Sequence, residues 1–137
     1  LDVTGGTLTA FHTTVTNNAT GVSNVGGGTV VLANSIVDGD CIGDAVTSLG
    51  YNIESPGDTC GLDQATDQHP PDFYFDPADL WLGLWPGSEA IDEVPAAECV
   101  DASGAPLTED LFLTERPIGA GCDVGAVEVP DGPGGPR

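Results

Sequence analysis

The sequence contains no lysine and no methionine, and its only basic residues besides histidine are Arg116 and Arg137. Against these stand 22 acidic residues, which give a formal net charge of −20 at pH 7. A negative charge of this size repels nucleic acid and anionic lipid, so we expect no binding to either through a basic surface. No stretch approaches the roughly 18 consecutive apolar residues of a membrane-spanning helix, so we expect no membrane span. Because the chain has no Met start and no signal-peptide pattern, we interpret Leu1 as a cut end.

One short phrase occurs twice. Residues 5–18 read GGTLTAFHTTVTNN and residues 27–40 read GGTVVLANSIVDGD, an offset of 27 − 5 = 22 residues that aligns Leu8 with Val30. Repeats of this length are typical of stacked-coil proteins, in which each unit buries its apolar face against the next. The 20 glycines and 11 prolines favour many short strands and turns over long helices. The repeat therefore predicts an all-β fold, a right-handed parallel β-helix with coils about 4.8 Å apart.

The alternation within each copy separates an inner from an outer face. Leu32 falls on the same face as Val30, and Ala10 is its counterpart one coil earlier. Asn34 follows the predicted strand at a corner, where a side-chain amide can bond to the coils above and below. His12 occupies the same place in the earlier copy, so we interpret both residues as rungs of a structural ladder rather than as catalytic or metal-binding residues.

The chain divides into four sections. Residues 1–40 are predicted to form the β-helix coils, 41–69 an irregular coil pinned by a disulfide, 70–128 a C-terminal cap that plugs the end of the helix, and 129–137 a Pro- and Gly-rich flexible tail or linker. One strand is expected over 48–53. The apolar side chains predicted to be buried in the cap are Phe73, Phe75, Leu80, Leu82, Leu84 and Ile91.

The four cysteines are even in number and lie too far apart for CxxC metal sites. We read them as two disulfides, which indicates an oxidising, extracytoplasmic location. Four cysteines allow three connectivities. We favour pairing by sequence neighbour, Cys41 with Cys60 and Cys99 with Cys122, and each bridge would then stabilise the fold by about 3 kcal/mol on the chain-entropy account.

The order of four phrases carries a family resemblance. GGTVVLANSIV is followed by SLGYNI with a cysteine on each side, then by LWPGSEAID and ERPIGAGCDVGAVE. This order resembles the C-terminal part of secreted bacterial right-handed β-helix proteins, in particular the choice-of-anchor Q domain group, which is related in architecture to polymorphic outer-membrane β-helix proteins and pectin-lyase-like folds. The resemblance covers residues 5–128 and implies fold and location, but almost nothing about activity, because the fold hosts many functions.

Two departures from the family pattern stand out. Glu89 stands where the family usually has proline, and TEDLFLTERP carries one arginine, Arg116, where the usual phrase has two. Any interaction made by the missing basic residue is therefore not expected in this chain.

An enzymatic role has to be weighed because β-helices often act on polysaccharides. A polysaccharide lyase of this fold would need a basic residue, and Arg116 is the one candidate in the body of the chain; pairing with Asp123 or Glu128 is its simpler role. A hydrolase would need two facing carboxylates. Asp38 and Asp40 come nearest to such a pair, but corner residues that replace asparagine are the simpler reading.

We expect no cofactor, and the alternative is a bound calcium ion. Weak candidate ligands lie in two Asp-rich loops, because carboxylate oxygens are the ligands that calcium prefers. The loops match neither the EF-hand nor the nonapeptide calcium pattern. The candidate residues are Asp63, Asp67, Asp72, Asp76 and Asp79.

From these features we predict a non-enzymatic, extracellular or cell-surface structural or adhesive element. The first coil should expose strand edges, so we expect its partner to be further β-helix coils or another copy of the chain stacked end to end. A surface glycan or protein is a further expected partner. The alternatives are a fragment of a carbohydrate-active β-helix, whether lyase or hydrolase, and a calcium-dependent adhesin.

Overall fold

The computed structural model describes residues 1–71, 75 and 83–129. Within these residues the chain is all-β, as predicted, and forms no helix. Eleven short strands follow one another along the chain: β1 (Asp2–Val3), β2 (Thr7–Phe11), β3 (Thr14–Val15), β4 (Thr20–Asn24), β5 (Thr29–Ala33), β6 (Ile36–Asp38), β7 (Asp40–Gly43), β8 (Thr47–Ser48), β9 (Ile53–Ser55), β10 (Val94–Pro95) and β11 (Gly121–Cys122).

The first nine strands form three parallel sheets. Their strand orders are β1-β4-β7, β2-β5-β8 and β3-β6-β9, so every third strand returns to the same sheet. One passage through the three sheets makes a coil: β1 to β3 form the first coil, β4 to β6 the second and β7 to β9 the third. This arrangement of stacked parallel strands is compatible with a parallel β-helix.

The strand register reproduces the sequence repeat. In the β2–β5 pair, Leu8 lies beside Val30 and Ala10 beside Leu32. Val30 and Leu32 are fully buried while Val31 between them is partly exposed. The alternation of inner and outer faces read from the sequence is therefore confirmed, because a parallel pair in register stacks like side chains over like.

The interior of the coils is a continuous apolar cluster. It extends from the first coil to the segment after β9, and Leu8, Ala10 and Cys41 pack against it while partly exposed. Its buried members are Val3, Val22, Val30, Leu32, Val37, Val46, Cys60 and Leu62.

The coils continue beyond residue 40, where the sequence repeat is lost, and they become shorter. Hydrogen bonds at one corner join each turn of the chain to the next and so measure its length. The bond from Thr13 to Ser35 spans 22 positions and the bond from Ser35 to Asn52 spans 17. The bond from Asn52 to Asp67 spans only 15 positions. The segment 41–69, expected to be irregular, thus keeps the parallel stacking in a contracted form.

The single strand expected over 48–53 is instead a corner. β8 ends at Ser48 and β9 begins at Ile53, and between them Gly50 and Tyr51 adopt positive φ angles of 106° and 55°. The chain turns there as it does at His12 and Asn34, the equivalent corners of the first two coils.

The described part of the C-terminal cap packs against the side of the coils. Ile36 and Ile53, on the third sheet, share a buried cluster with cap residues that include the predicted Leu84 and Ile91, and Phe75 packs against it. β10 and β11 pair antiparallel within the cap. The predicted core residues Phe73, Leu80 and Leu82 lie outside the described residues. The contacts seen for residues 83–129 therefore cover the third sheet, whereas Leu62 and Cys60 fill the interior at the end of the coils.

The two disulfides join Cys41 to Cys60 and Cys99 to Cys122, which confirms the pairing by sequence neighbour. The first bridge ties the third coil to the segment that follows it, and the second lies inside the cap. Val129, placed in the flexible tail by the sequence, is buried and donates its backbone N–H to Asp123 Oδ2 at 2.7 Å. The rest of the predicted tail, residues 130–137, is outside the described part of the chain.

Candidate functional site

The first coil has an open edge. β1, β2 and β3 each pair with a strand of the second coil, and within the described residues no strand lies on their other side. Interior positions lose burial there: Val30 is 0% exposed and Leu32 1%, whereas their neighbours Leu8 and Ala10 are only partly buried. A row of unpaired strand groups above a partly exposed apolar row is the usual template for adding another strand.

The opposite end of the stack is closed by side chains. Thr59 Oγ1 accepts the backbone N–H of Cys41 at 2.7 Å, and Thr66 Oγ1 accepts that of Tyr51 at 3.0 Å. Asp67 Oδ1 accepts the N–H of Asn52 at 2.9 Å. These donors of the third coil are satisfied by the segment after β9, whereas among the described residues no segment covers the strands of the first coil.

A groove of about 410 Å³ lies over the open edge, between the first coil and a cap loop. A second groove of about 360 Å³ adjoins it and includes Arg116 in its lining. The two share Phe11, His12, Thr13 and Leu107. The cap therefore forms one wall of the surface that any added coil would meet.

One corner of each coil adopts the left-handed conformation. His12, Asn34 and Tyr51 have φ angles of 46°, 54° and 55°. Asn34 Nδ2 lies 3.0 Å from His12 Nε2 and donates to the backbone carbonyl of Glu98 at 2.9 Å. The predicted contact between His12 and Asn34 at a coil corner is thus present, with an additional link from the coils to the cap.

The next position of the corner forms a second ladder, in which each side chain supports the preceding coil. Ser35 Oγ accepts the N–H of Thr13 at 3.1 Å, and Asn52 Oδ1 accepts the N–H of Ser35 at 3.0 Å. In the same way, Asp67 Oδ1 accepts the N–H of Asn52 at 2.9 Å. These bonds fix the corners that hold His12 in place, because buried backbone donors require a partner.

Arg116 is buried at the junction of cap and coils. Its Nη1 lies 2.9 Å from His12 Nδ1, its Nη2 donates to the Gly125 carbonyl at 2.9 Å, and its Nε lies 3.0 Å from Glu128 Oε2. The Nε contact is a close charge contact rather than a well-directed hydrogen bond. Since a guanidinium can only donate, His12 Nδ1 is the acceptor of its contact with Arg116. The predicted pairing of Arg116 with Glu128 is present, whereas its contact with His12 was not foreseen.

Burial controls the protonation of this network. It lowers the pKa of His12 to about 4, and the neighbouring positive charge of Arg116 acts in the same direction. Burial raises the pKa of Asp123 to about 7, and the negative charge of Glu128 adds to that rise. Burial also raises the pKa of Glu128, although backbone donors and Arg116 oppose it. His12 is therefore neutral at pH 7, which suits a structural rather than a cationic role.

The carboxylates proposed for a hydrolase have local roles. Asp38 Oδ2 accepts the hydroxyl of Thr16 at 2.6 Å and so links two neighbouring coils. Asp40 is exposed at the start of β7. The structure thus gives Asp38 a corner role, the simpler of the two sequence interpretations.

The calcium candidates fall in two groups. Asp67 accepts backbone N–H groups of Asn52 and Gln64 with its two oxygens, and Asp63 Oδ1 accepts the Gln64 side-chain amide. Asp72, Asp76 and Asp79 lie outside the described residues. A calcium site at these positions stays a prediction. Within the described part of the chain, the side chains grouped at metal-ligand distances are instead Glu54, Asp58 and His69.

No helix of the described chain is long and apolar enough to cross a bilayer. The two disulfides are typical of extracellular proteins. The resemblance to the choice-of-anchor Q group stays a prediction. Comparison of the chain with protein-family models, curated proteins and solved structures finds no significant match.

Proposed function

We propose that this chain is the terminal segment of an extracellular, right-handed parallel β-helix that serves as a non-enzymatic structural element. Its first coil accepts a further coil of the same repeat on the open edge of β1, β2 and β3. The observation that carries the proposal is the asymmetry of the stack, with one end closed by side chains and the other left with unpaired strands.

Three features support an added coil as the occupant of the edge. The interior row at Leu8 and Ala10 is partly exposed, although the same row is fully buried one coil later. Two of the three sheets pair the first two coils with the same step, Thr7 with Thr29 and Thr14 with Ile36, so a further coil of this length can stack in register on them. The net charge of −20 disfavours an anionic occupant such as nucleic acid.

The test adds a copy of residues 1–22, one coil of the repeat, in front of Leu1, so that each residue of the copy lies 22 positions before its counterpart. If the edge accepts it, amide hydrogen exchange at Thr7–Phe11 should slow by about tenfold or more, because these strands gain partners on their second side. The matched control carries Leu8→Asp and Ala10→Asp in the added copy alone, which prevents interior packing. Exchange that is equally slow in the original chain, or unchanged by the added coil, would contradict the proposal.

The non-enzymatic assignment is tested separately. The wild-type chain and the Asp38→Asn and Asp40→Asn variants are incubated with uronate polymers, and new chain ends are measured. We expect no turnover by any of them. Turnover by the wild type that either variant loses would favour the carbohydrate-active alternative.

A further inference from the structure

Three potential metal ligands meet beside the end of the third coil. His69 Nδ1 lies 3.8 Å from Glu54 Oε2 and 3.7 Å from Asp58 Oδ1, and all three ligand atoms lie within 4.8 Å of one another. Glu54 belongs to β9 and Asp58 to the following turn. His69 comes directly after Gln68, which forms a parallel bridge with Ile53. The group depends on the contracted coil, which brings residues of successive turns together.

Glu54 is held firmly while one of its oxygens keeps bonding capacity. Its side chain is fully buried. Oε1 accepts from the Thr59 hydroxyl at 2.7 Å and from the backbone N–H of Thr59 and Cys60, whereas Oε2 shares only the Cys60 N–H, at 3.1 Å. Among the described residues its only nearby group able to carry positive charge is His69. Buried carboxylates are normally paired with a cation or bound to a metal. Here the nearest such group, His69, lies 3.8 Å away.

The separations fit a bridging ion better than direct hydrogen bonds. Distances of 3.7 and 3.8 Å between His69 Nδ1 and the two carboxylates exceed the hydrogen-bonding range. Tetrahedral ligands about 2.0–2.1 Å from a zinc ion lie about 3.4 Å apart. A contraction of a few tenths of an ångström would bring His69 Nδ1 to this spacing from each carboxylate, while the two carboxylate oxygens lie within 4.8 Å of each other. Asp58 is 63% exposed and His69 29%, so both side chains can make this adjustment.

The donor set selects the kind of ion. One imidazole nitrogen and two carboxylate oxygens suit Zn²⁺, with water in the fourth position. Calcium and magnesium prefer oxygen ligands and a larger or octahedral shell, which this group does not supply. From this geometry we infer that Glu54, Asp58 and His69 form a zinc-binding site that clips the turn after β9 to the segment after Gln68.

This site would act at the closed end of the stack and does not depend on the proposed role of the open edge. The same turn contains Cys60, which is bonded to Cys41, so a bound ion would add a second crosslink to the one already made by the disulfide. Binding to the folded chain alone would then raise its thermal stability.

The test titrates the intact disulfide-bonded chain with Zn²⁺ in calorimetry and in thermal melts. We expect one ion per chain and a raised Tm, and His69→Gln and Asp58→Asn should each weaken binding by about tenfold or more. Asp44→Asn is the matched control, because it removes an exposed carboxylate outside the group. Ca²⁺ at the same concentration should bind more weakly.

Two further readouts separate a built site from diffuse binding to an acidic surface. Co²⁺ should give tetrahedral absorption bands that His69→Gln abolishes, and Zn²⁺ should shift the NMR signals of the His69 ring but not those of the buried His12. Equal Zn²⁺ affinity in the wild type and His69→Gln, or several weak equivalent sites, would overturn the inference. A preference for Ca²⁺ unaffected by His69→Gln would also overturn it.

Discussion

Arg116 Nη1 lies 2.9 Å from Nδ1 of His12, a residue 104 positions earlier in the chain. This contact joins the cap to the corner of the first coil. Because Arg116 also neutralises the buried Glu128, one side chain links the open end of the stack to the core of the cap.

Removing this cation should be strongly destabilising. Arg116→Ala leaves the carboxylate of Glu128 buried without its charge partner and leaves His12 Nδ1 without a donor. Breaking a buried ion pair from one side costs about 3–5 kcal/mol, which urea unfolding at pH 7 should reveal as a lower midpoint. Arg137→Ala removes the other arginine and serves as the charge-matched control. Similar stability of the two variants would contradict the role of Arg116.

The pH dependence of stability should reflect two opposing groups. Below pH 6.5 the unfolded chain takes up a proton on His12 that the folded chain refuses until about pH 4, so this group lowers stability as the pH falls. The folded chain keeps the proton of Asp123 up to about pH 7, whereas an ordinary carboxyl releases it near 3.8, so this group lowers stability as the pH rises. The two effects, at most about 3 and 4 kcal/mol, overlap in the same window.

Single substitutions should separate these contributions. Relative to the wild type, Asp123→Asn should gain stability as the pH rises from 4 to 7. Over the rise from pH 4 to 6.5, His12→Asn should lose stability relative to the wild type. Denaturant unfolding at half-unit pH steps measures both trends. In the double variant neither His12 nor Asp123 is present, so the pH dependence of stability that these two groups cause should be absent. Parallel pH profiles for all four proteins would contradict the opposing assignments.

The disulfides should contribute about equally. They join residues 19 and 23 positions apart, and loops of this length stabilise by about 3 kcal/mol each on the chain-entropy account. The double substitution Cys99→Ser with Cys122→Ser should therefore lower the Tm about as much as Cys41→Ser with Cys60→Ser. Thermal melts with and without reductant provide the check, since reductant should lower the Tm of each double variant further by opening its remaining bridge. A Tm lowered by one double substitution and unmoved by the other would contradict the prediction.

The corner ladder should be sensitive at Asn52. This fully buried side chain accepts from the Ser35 N–H and donates to the Leu32 carbonyl and Ser48 Oγ. Asn52→Ala leaves these buried groups without a partner, at about 1–3 kcal/mol for each. Asn18→Ala, in an exposed turn, is the control and should cost less than about 0.5 kcal/mol in urea unfolding. Equal losses would show that the ladder adds little.

Local pattern was sufficient for the register of the first two coils, which follows from a repeated step and an alternating face. Pairing of cysteines by sequence neighbour was one of three possible connectivities, and Arg116 was expected to pair with Asp123 or Glu128; the structure selects Glu128 as its close charge partner. The contact of Arg116 with His12 could not be predicted from the sequence, since no pattern near either residue indicates that the cap returns to the first coil. The group of Glu54, Asp58 and His69 was missed because it depends on the shortening of the coils after residue 40, which no repeat in the sequence marks.

The contraction of the coils, whose corner bonds span 22, then 17, then 15 positions, gives the stack a taper. A tapered body is directional, because its wide rim and its narrow rim differ in circumference. Identical chains joined rim to rim in a row would meet a mismatch at every joint, whereas a wide coil added to the wide rim meets none. The taper therefore favours the wide side, the open edge of the first coil, as the place where a coil is added.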